Sequence, residues 1–306
     1  MNLEKNIKKT VLLSGASGML GKAIAKALEQ QKYSTLQLVR RVPQYGSEIP
    51  WNPAKGELDP APLESLAAAI HLSGANVATT RWTESYKQEM LDSRVTTTRV
   101  LSEALARLKN PPPVLIVASA VGFYGNRGDE VLDEESSPGT GFFPHVCQQW
   151  EEASLPAEQA GIRVVHLRFG PVLGPDGGIV AHLTPMFRLC LGGRLGNGRQ
   201  WLSWISETDA VRTALFALDS ESLTGPLNCV APEPVTNATF TREFAHALNR
   251  LAFLPAPAFA LRLAFGTMAD DALLASTRAV PKRLLQAGFQ FTHPTLKTAL
   301  TAALIK

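Results

Sequence analysis

The sequence holds little of what would place it in a specialised class of protein. Its 306 residues include only three cysteines, Cys147, Cys190 and Cys229, far apart and without a C-x-x-C. That spacing excludes a disulfide framework and makes a reducing, cytoplasmic setting the simplest expectation. No His, Cys, Asp and Glu residues recur at metal-ligand spacing, so no metal is expected. Charged residues make up only 19%, and a net charge of +3 with no basic block offers no groove for nucleic acid. Long apolar runs are missing too. The longest, Phe253 to Phe265, is broken by Pro255, Pro257 and Arg262 and falls short of the roughly 20 residues a membrane helix needs. Asn6, Lys8 and Lys9 ahead of VLLSGASGML have the outline of a signal peptide, but glycines interrupt its apolar part. Internal repeats and low-complexity segments are absent.

What remains, at 45% hydrophobic, is a soluble globular chain of enzyme size, able to bury a substantial core. A small-molecule substrate is the expected partner, with neither nucleic acid nor membrane.

The stretch TVLLSGASGMLGKAIAKALEQQ, residues 10 to 31, organises the reading. Val11, Leu12 and Leu13 form an apolar strand, three glycines follow at Gly15, Gly18 and Gly21, and Ala23, Ile24, Ala27 and Leu28 recur at helical spacing. A strand, a glycine turn and a helix start bring backbone N–H groups and a positive dipole end to a pyrophosphate. The spacing is G-x-x-G-x-x-G, a variant of the usual G-x-G-x-x-G dinucleotide fingerprint. Gly15, Ser17, Gly18, Met19, Leu20 and Gly21 are the candidate cofactor contacts. The next strand, TLQLV, ends at Arg40 and Arg41, with Arg40 nineteen residues after Gly21. An acid near this position suits the ribose 2′-OH of NAD, and arginine suits a 2′-phosphate. The expected cofactor is therefore NADP(H), with Arg40 and Arg41 as contacts.

Further along, residues 43 to 62 read as a loop rich in Pro, Gly and Trp. A third strand, AAAIHLSGA, follows to Gly74, placing Leu72, Ser73 and Gly74 beside the cofactor. A helix over Glu84 to Lys109, a buried strand VLIVAS ending at Ser119 with Ala118 beside it, a helix from Pro144 to Ala160 and a strand Ile162 to Leu167 continue the alternation. That alternation predicts a doubly wound α/β fold, a parallel sheet with helices on both faces. Gly170, Pro171 and Val172 follow the last of these strands and are candidates to hold a nicotinamide carboxamide. From Gly174 the pattern loosens, a helix Glu207 to Leu218 and a strand Gly225 to Val230 return to the sheet, and helices dominate after Pro232. The predicted division is a Rossmann domain over 1–173 and 206–231, with a smaller, mostly helical lobe over 174–205 and 232–306. Gly178, Gln200, Trp201 and Trp204 are candidate substrate contacts in that lobe, the tryptophans serving either as a platform or as packing.

The glycine triplet, the Ser119 strand end before Tyr124-Gly125, and Ile205 with Asp209 resemble the extended short-chain dehydrogenase/reductase superfamily, which includes sugar-nucleotide epimerases and dehydratases. HLSGANVATTRW, Ser93-Arg94, GGRLGNGRQWLSWI and the run from FGTMADDALL through VPKRLLQAGFQFTHPTL resemble its atypical branch, the epimerase family proteins. The resemblance covers essentially the whole chain. It implies NADP(H)-dependent oxidoreductase or epimerase chemistry on a small polar or nucleotide-linked substrate, and a homodimer by analogy.

The superfamily transfers a proton through a Tyr-x-x-x-Lys pair on the helix after the serine strand, the lysine lowering the phenol's pKa. Here the matching positions are Val146 and Trp150, or one residue later Cys147 and Glu151. Neither register can do that chemistry, a loss the branch shares. Ser119 and Tyr124 are then the candidate catalytic residues, with Tyr124 also fitting a pocket-lining role. A non-catalytic NADP(H)-binding sensor or scaffold is the alternative.

Overall fold

The computed structural model describes residues 9–77 and 81–304. Asn6 and Lys8 of the signal-like stretch, and residues 78–80 of HLSGANVATTRW, lie outside them.

Eight strands form one sheet: β1 (Thr10–Ser14), β2 (Ser34–Val39), β3 (Glu48–Asn52), β4 (Glu57–Leu58), β5 (Ala68–His71), β6 (Val114–Ala120), β7 (Arg163–Phe169) and β8 (Gly225–Cys229). Their order is β8-β7-β6-β5-β1-β2-β3-β4, parallel throughout except for the β3–β4 pair at one edge. The strand order reverses between β1 and β5, so both carry their C-termini to the crevice where doubly wound sheets bind ligands.

Successive side chains on β1 serve opposite layers. Val11 and Leu13 face helices α1 (Met19–Gln30) and α6 (Glu207–Asp219), packing with Ile24, Leu28, Ala214 and Leu215. Leu12 faces the other side, with Leu101 and Leu105 of α2 (Glu84–Ala106), Trp150 of α3 (Phe142–Glu152) and Ala157 of α4 (Leu155–Gln159). Helix α2 starts where the Thr83 hydroxyl accepts the Tyr86 N–H at 3.2 Å, an N-cap.

A separate core lies beyond the sheet. It joins α5 (Gly178–Arg188), α7 (Asn237–Ala247) and α10 (Leu296–Leu304) around Trp204, Phe187 and Phe244. Two shorter helices, α8 (Ala258–Phe265) and α9 (Lys282–Gln286), complete the C-terminal region.

Three expectations change. The loop over 43 to 62 contains β3 and β4: Ile49 and Trp51 alternate into the core, while Pro50 lacks the N–H that marks a strand interior and masks the pattern. The third strand ends at His71, three residues before Gly74. The helix expected over 144 to 160 is two helices, interrupted at Ala153 and Ser154 ahead of Pro156.

Candidate functional site

The glycine turn is close-packed by necessity. Gly15 has φ +70°, and a Cβ there would lie 2.8 Å from the Leu72 carbonyl. At Gly21 a Cβ would lie 2.2 Å from the Gly15 oxygen, so helix α1 meets the turn backbone to backbone. Helix α1 begins at Gly18 with no side-chain cap and no acid in its first turn. Its first amides are therefore open, with the positive dipole end unopposed. The Met19 side chain reaches the turn after Val172–Gly174: a Cβ at Gly174 or Gly177 would stand 3.0 Å from its Sδ. Glu207 Oε2 lies on the same spot, buried and without a hydrogen-bond partner, and burial followed by Asp176 raises its carboxyl pKa. Leu20, by contrast, turns its side chain to the core under α1.

At the end of β2 the two arginines part company. Arg41 is held by Glu48, with Nη1 donating to Oε2 at 2.9 Å and also to the Val42 carbonyl. Arg40 is exposed, and no hydrogen bond or ion pair with the described residues engages it.

Beside β1, His71 ends β5 in full burial. The Thr97 hydroxyl gives its proton to the Ser93 carbonyl at 2.7 Å, so His71 Nε2 must donate to it at 3.2 Å. Nδ1 is then the acceptor for Ser14 Oγ at 2.6 Å, and Ser14 in turn accepts the Leu72 N–H. Burial pulls the His71 pKa down to about 3, in keeping with this neutral tautomer. The chain of bonds fixes Leu72, against which Gly15 packs. Ser73 and Gly74 follow, with the Ala75 N–H on Ser93 Oγ and the Ala75 carbonyl accepting from Arg94 Nη2 at 2.8 Å. Arg94 is buried, lies over Trp150 at 5.0 Å and also donates to the Met90 carbonyl. Ser93-Arg94 thus shapes the loop after β5.

The other half of the strand ends is closed. The register sets Ser119, Arg168 and Asn228 side by side on β6, β7 and β8. The Glu151 carboxylate accepts from Ser119 Oγ (2.6 Å), Arg168 Nε (2.8 Å) and Arg168 Nη2 (2.8 Å). Arg168 Nη1 donates to Tyr124 OH at 3.0 Å, and that phenol donates to Asn228 Oδ1 at 2.8 Å. The guanidinium also lies 3.5 Å from the centre of the Phe123 ring, a cation–π contact. Of the two candidate registers on α3, Val146 and Trp150 point into the core, while Cys147 and Glu151 sit at this network. In the second of these registers a carboxylate, Glu151, stands where the lysine of the pair would fall.

The environment of the candidate catalytic residues, and of Cys147 beside them, limits their chemistry. Tyr124 has a cationic neighbour, Arg168, yet burial outweighs it and pushes the phenol up to about 12. With no exposed surface and both oxygen valences used, it does not reach a substrate. Cys147 is likewise pushed up to about 12, by burial first and then by Glu151, so it is a thiol and no nucleophile. Ser119 is buried and spends its proton on Glu151.

Among the remaining candidates, Trp204 is fully buried in the helical core and forms no platform. Ala118 packs in the α2 layer. Gly170 is buried because a Cβ there would lie 1.9 Å from the Ser203 oxygen, so it serves packing; Pro171 accepts from the Ile205 N–H, and Val172 pairs with Ile205. Gly178, at φ +63°, closes the turn against the Val172 oxygen. Trp201 donates its Nε1–H to Asp129 at 2.8 Å beneath the Arg278 guanidinium, and Gln200 spans the Leu195 and Leu273 carbonyls. Beside them lies a cavity of about 350 Å³ lined by Asp129, Asn197, Arg199, Gln200, Arg262 and Ser276. Among the described residues, no three His, Cys, Asp or Glu side chains converge as metal ligands, and no helix is long and apolar enough to cross a membrane.

Sheet order, glycine turn and strand-end crevice define a Rossmann-type dinucleotide-binding α/β protein. The NAD-dependent epimerase/dehydratase family model matches residues 11–228, and a domain of unknown function, DUF1731, matches residues 256–303. The chain belongs to that epimerase/dehydratase family. It is 47% identical over 296 residues to an epimerase family protein of Mycobacterium leprae, spanning 97% of this chain and 96% of the relative. It is 35% identical to the human epimerase family protein SDR39U1 over 95% of this chain and 98% of the relative. A crystal structure of human SDR39U1 with NADPH matches with a TM-score of 0.88 at 32% identity, over 96% of this chain and 99% of that one. MoeE5, solved with UDP-glucose and NAD, shares the fold at 21% identity, with a TM-score of 0.74 over 96% of this chain and 97% of that one.

Proposed function

We propose that the chain is an NADP(H)-dependent oxidoreductase or epimerase-like enzyme that acts, without a Tyr-x-x-x-Lys pair, on a small polar or nucleotide-linked substrate. The observation that carries the cofactor choice is the end of β2. Glu48, the acid nearest that end in sequence, is engaged by Arg41, which leaves Arg40 as a cation with no partner among the described residues, available to a 2′-phosphate. The open first turn of α1 at Gly18, with Gly15 and Ser17 beside it, would take the pyrophosphate. The loop Leu72 to Gly74, fixed by Ser14, His71 and Arg94, would lie along the cofactor. Its glycines and uncapped helix end fit the phosphates, and Arg40 fits the third one. A substrate would sit between the strand ends and the lobe over 174–205 and 232–306, with Gln200 and Trp201 at its border.

The cofactor supplies the hydride in such chemistry. This chain's part is to hold a substrate carbon near the strand ends, and the proton has to come from water or from the substrate itself. Ser119 and Tyr124 both have their protons committed within the protein.

That same commitment supports a second reading, a non-catalytic NADP(H) sensor. One experiment separates them: NADPH deuterated at the transferable C4 position, incubated with the protein and a cellular metabolite pool. Deuterium in a metabolite identifies an enzyme and its substrate. Binding of NADPH with no transferred label favours the sensor or a redox-neutral reaction that returns the hydride to the same substrate.

A further inference from the structure

The chain's apolar surface is unevenly spread. Among the described residues, nine of the fourteen large hydrophobic side chains that stand exposed belong to two segments, residues 186–191 and 251–265. They include Leu189 at 71%, Leu251 at 69%, Phe259 at 73% and Leu263 at 79% exposure. Phe259 and Leu263 are one turn apart on α8, so they project from one side of that helix. The two segments belong together in space. The Ala256 N–H donates to the Arg194 carbonyl at 2.9 Å, the Gly196 N–H to the Ala256 carbonyl at 2.8 Å, and Arg250 Nε to the Arg188 carbonyl at 3.1 Å.

The charge on these segments has one sign. No Asp or Glu occurs between Asp176 and Glu207 or between Glu243 and Asp270, while the same stretches carry Arg188, Arg194, Arg199, Arg250 and Arg262. Between α7 and the start of the second segment lies a cavity of about 430 Å³ lined by Arg194, Arg242, His246, Arg250 and Phe253 among others. Of these cations, Arg242 pairs with Glu243 at 3.2 Å and Arg250 donates to backbone carbonyls, while Arg194 has no side-chain partner among the described residues. Arg262, beside Leu263, pairs with Asp270 at 2.9 Å, and both side chains remain half exposed.

We infer that this face docks on the surface of an anionic phospholipid bilayer, with Phe259, Leu263, Leu251 and Leu189 entering the headgroup boundary and Arg194 and Arg250 meeting lipid phosphates. Protruding Phe and Leu among arginines are the composition of an interfacial contact. Charge decides against a second copy as the occupant: a two-fold contact would set these arginines against their own images with few carboxylates to offset them. The expectation against a membrane rests on the lack of a spanning run, which a peripheral contact does not require. This inference is independent of the reaction.

Sedimentation of the full chain with vesicles tests it, using phosphatidylcholine alone and phosphatidylcholine with about a third phosphatidylglycerol. The expected result is binding to the anionic vesicles, loss of that binding as salt shortens the screening length, and little binding to phosphatidylcholine. Arg194→Gln should lower partitioning about fivefold, the worth of one basic residue near an anionic surface. The pair Phe259→Asp with Leu263→Asp should abolish it while the circular dichroism melt stays unchanged, since both side chains are mostly exposed. Three results would overturn the proposal: no partitioning at low salt, equal partitioning into both vesicles, or displacement by millimolar inorganic phosphate, which would mark a small-anion site. Sedimentation velocity showing a dimer that Phe259→Asp dissolves would overturn it in favour of a second copy.

Discussion

The two halves of the sheet's C-terminal edge treat their polar groups in opposite ways. On the half built from β1, β2 and β5, groups are left open: the first turn of α1 has no cap, and Arg40 has no partner among the described residues. On the half built from β6, β7 and β8, Ser119, Glu151, Arg168, Tyr124 and Asn228 bond one another in an unbroken row. Open donors and cations are what an anionic dinucleotide needs. A closed row is what a fold makes when a buried guanidinium must be neutralised. One side thus offers open groups, while on the other the candidate catalytic residues Ser119 and Tyr124 belong to a network that stabilises the chain.

The largest effect that would test this contrast is on the closed side. Glu151→Ala leaves Arg168 buried without its carboxylate, and removing one partner of a buried pair costs about 3–5 kcal/mol. Denaturant unfolding should show that loss, while Glu151→Ala combined with Arg168→Met should recover much of it. If Glu151→Ala were as stable as the parent, Glu151 would be free for chemistry and the contrast would break.

On the open side, Arg40→Asp should leave stability unchanged and lower NADPH affinity by about tenfold to a hundredfold, the worth of a charge-assisted hydrogen bond. NADH affinity should hold. An unchanged NADPH to NADH ratio by titration calorimetry would remove Arg40 from the cofactor site. Arg41→Asp makes the internal comparison: it breaks a pair with Glu48 on the surface and should have the smaller effect on cofactor choice.

The open half was largely legible in the sequence and the closed half was not, for a physical reason. The places of Gly15, Gly18, Gly21 and Arg40 follow from backbone geometry and strand-end position, which local spacing encodes. Glu151 and Arg168 are seventeen residues apart on different elements, and only the packing of α3 against β7 brings them together. Asn228 lies a further sixty residues on, and its place follows from strand register. The available signal was faint: Arg168 follows the apolar Leu167 one residue before the end of β7, and Glu151 follows the apolar Trp150 on α3. Trp201 and Trp204 show the limit of composition. They are three residues apart, and one joins the Asp129–Arg278 contact while the other fills the core. Pro50 concealed β3 in the same way, by removing the donor that a strand pattern presumes.

Tyr124→Phe gives a more modest check on the closed half. It strands Asn228 Oδ1 and Arg168 Nη1 in a buried place, at about 1–3 kcal/mol. If the sensor or water-dependent readings hold, it should cost stability without changing NADPH affinity. Linkage supplies a second readout: the folded-state pKa of about 12 lies above the ordinary value of 10.0. The folded chain then holds the proton more tightly, so stability is fully present below pH 10 and falls as pH rises toward 12, and Tyr124→Phe should flatten that fall.

The smallest effect at neutral pH belongs to His71, which ties β5 to β1 through Ser14 and to α2 through Thr97. Its folded-state pKa of about 3 lies below the ordinary 6.5, so the unfolded chain binds the proton more readily between those values. Stability is complete above pH 6.5 and is lost as pH falls through that window toward 3. Protonation would put a second donor on Nδ1 against Ser14 Oγ, which already accepts from Leu72, and so would loosen the segment on which Gly15 rests. NADPH affinity should therefore weaken with stability as the solution is acidified. Histidine resonances followed by NMR give the direct check: His71 should stay neutral to below pH 5 in the folded chain. Titration near 6.5 would mean that the segment is open to water and that the ordered edge beside the glycine turn does not depend on the His71 hydrogen bonds.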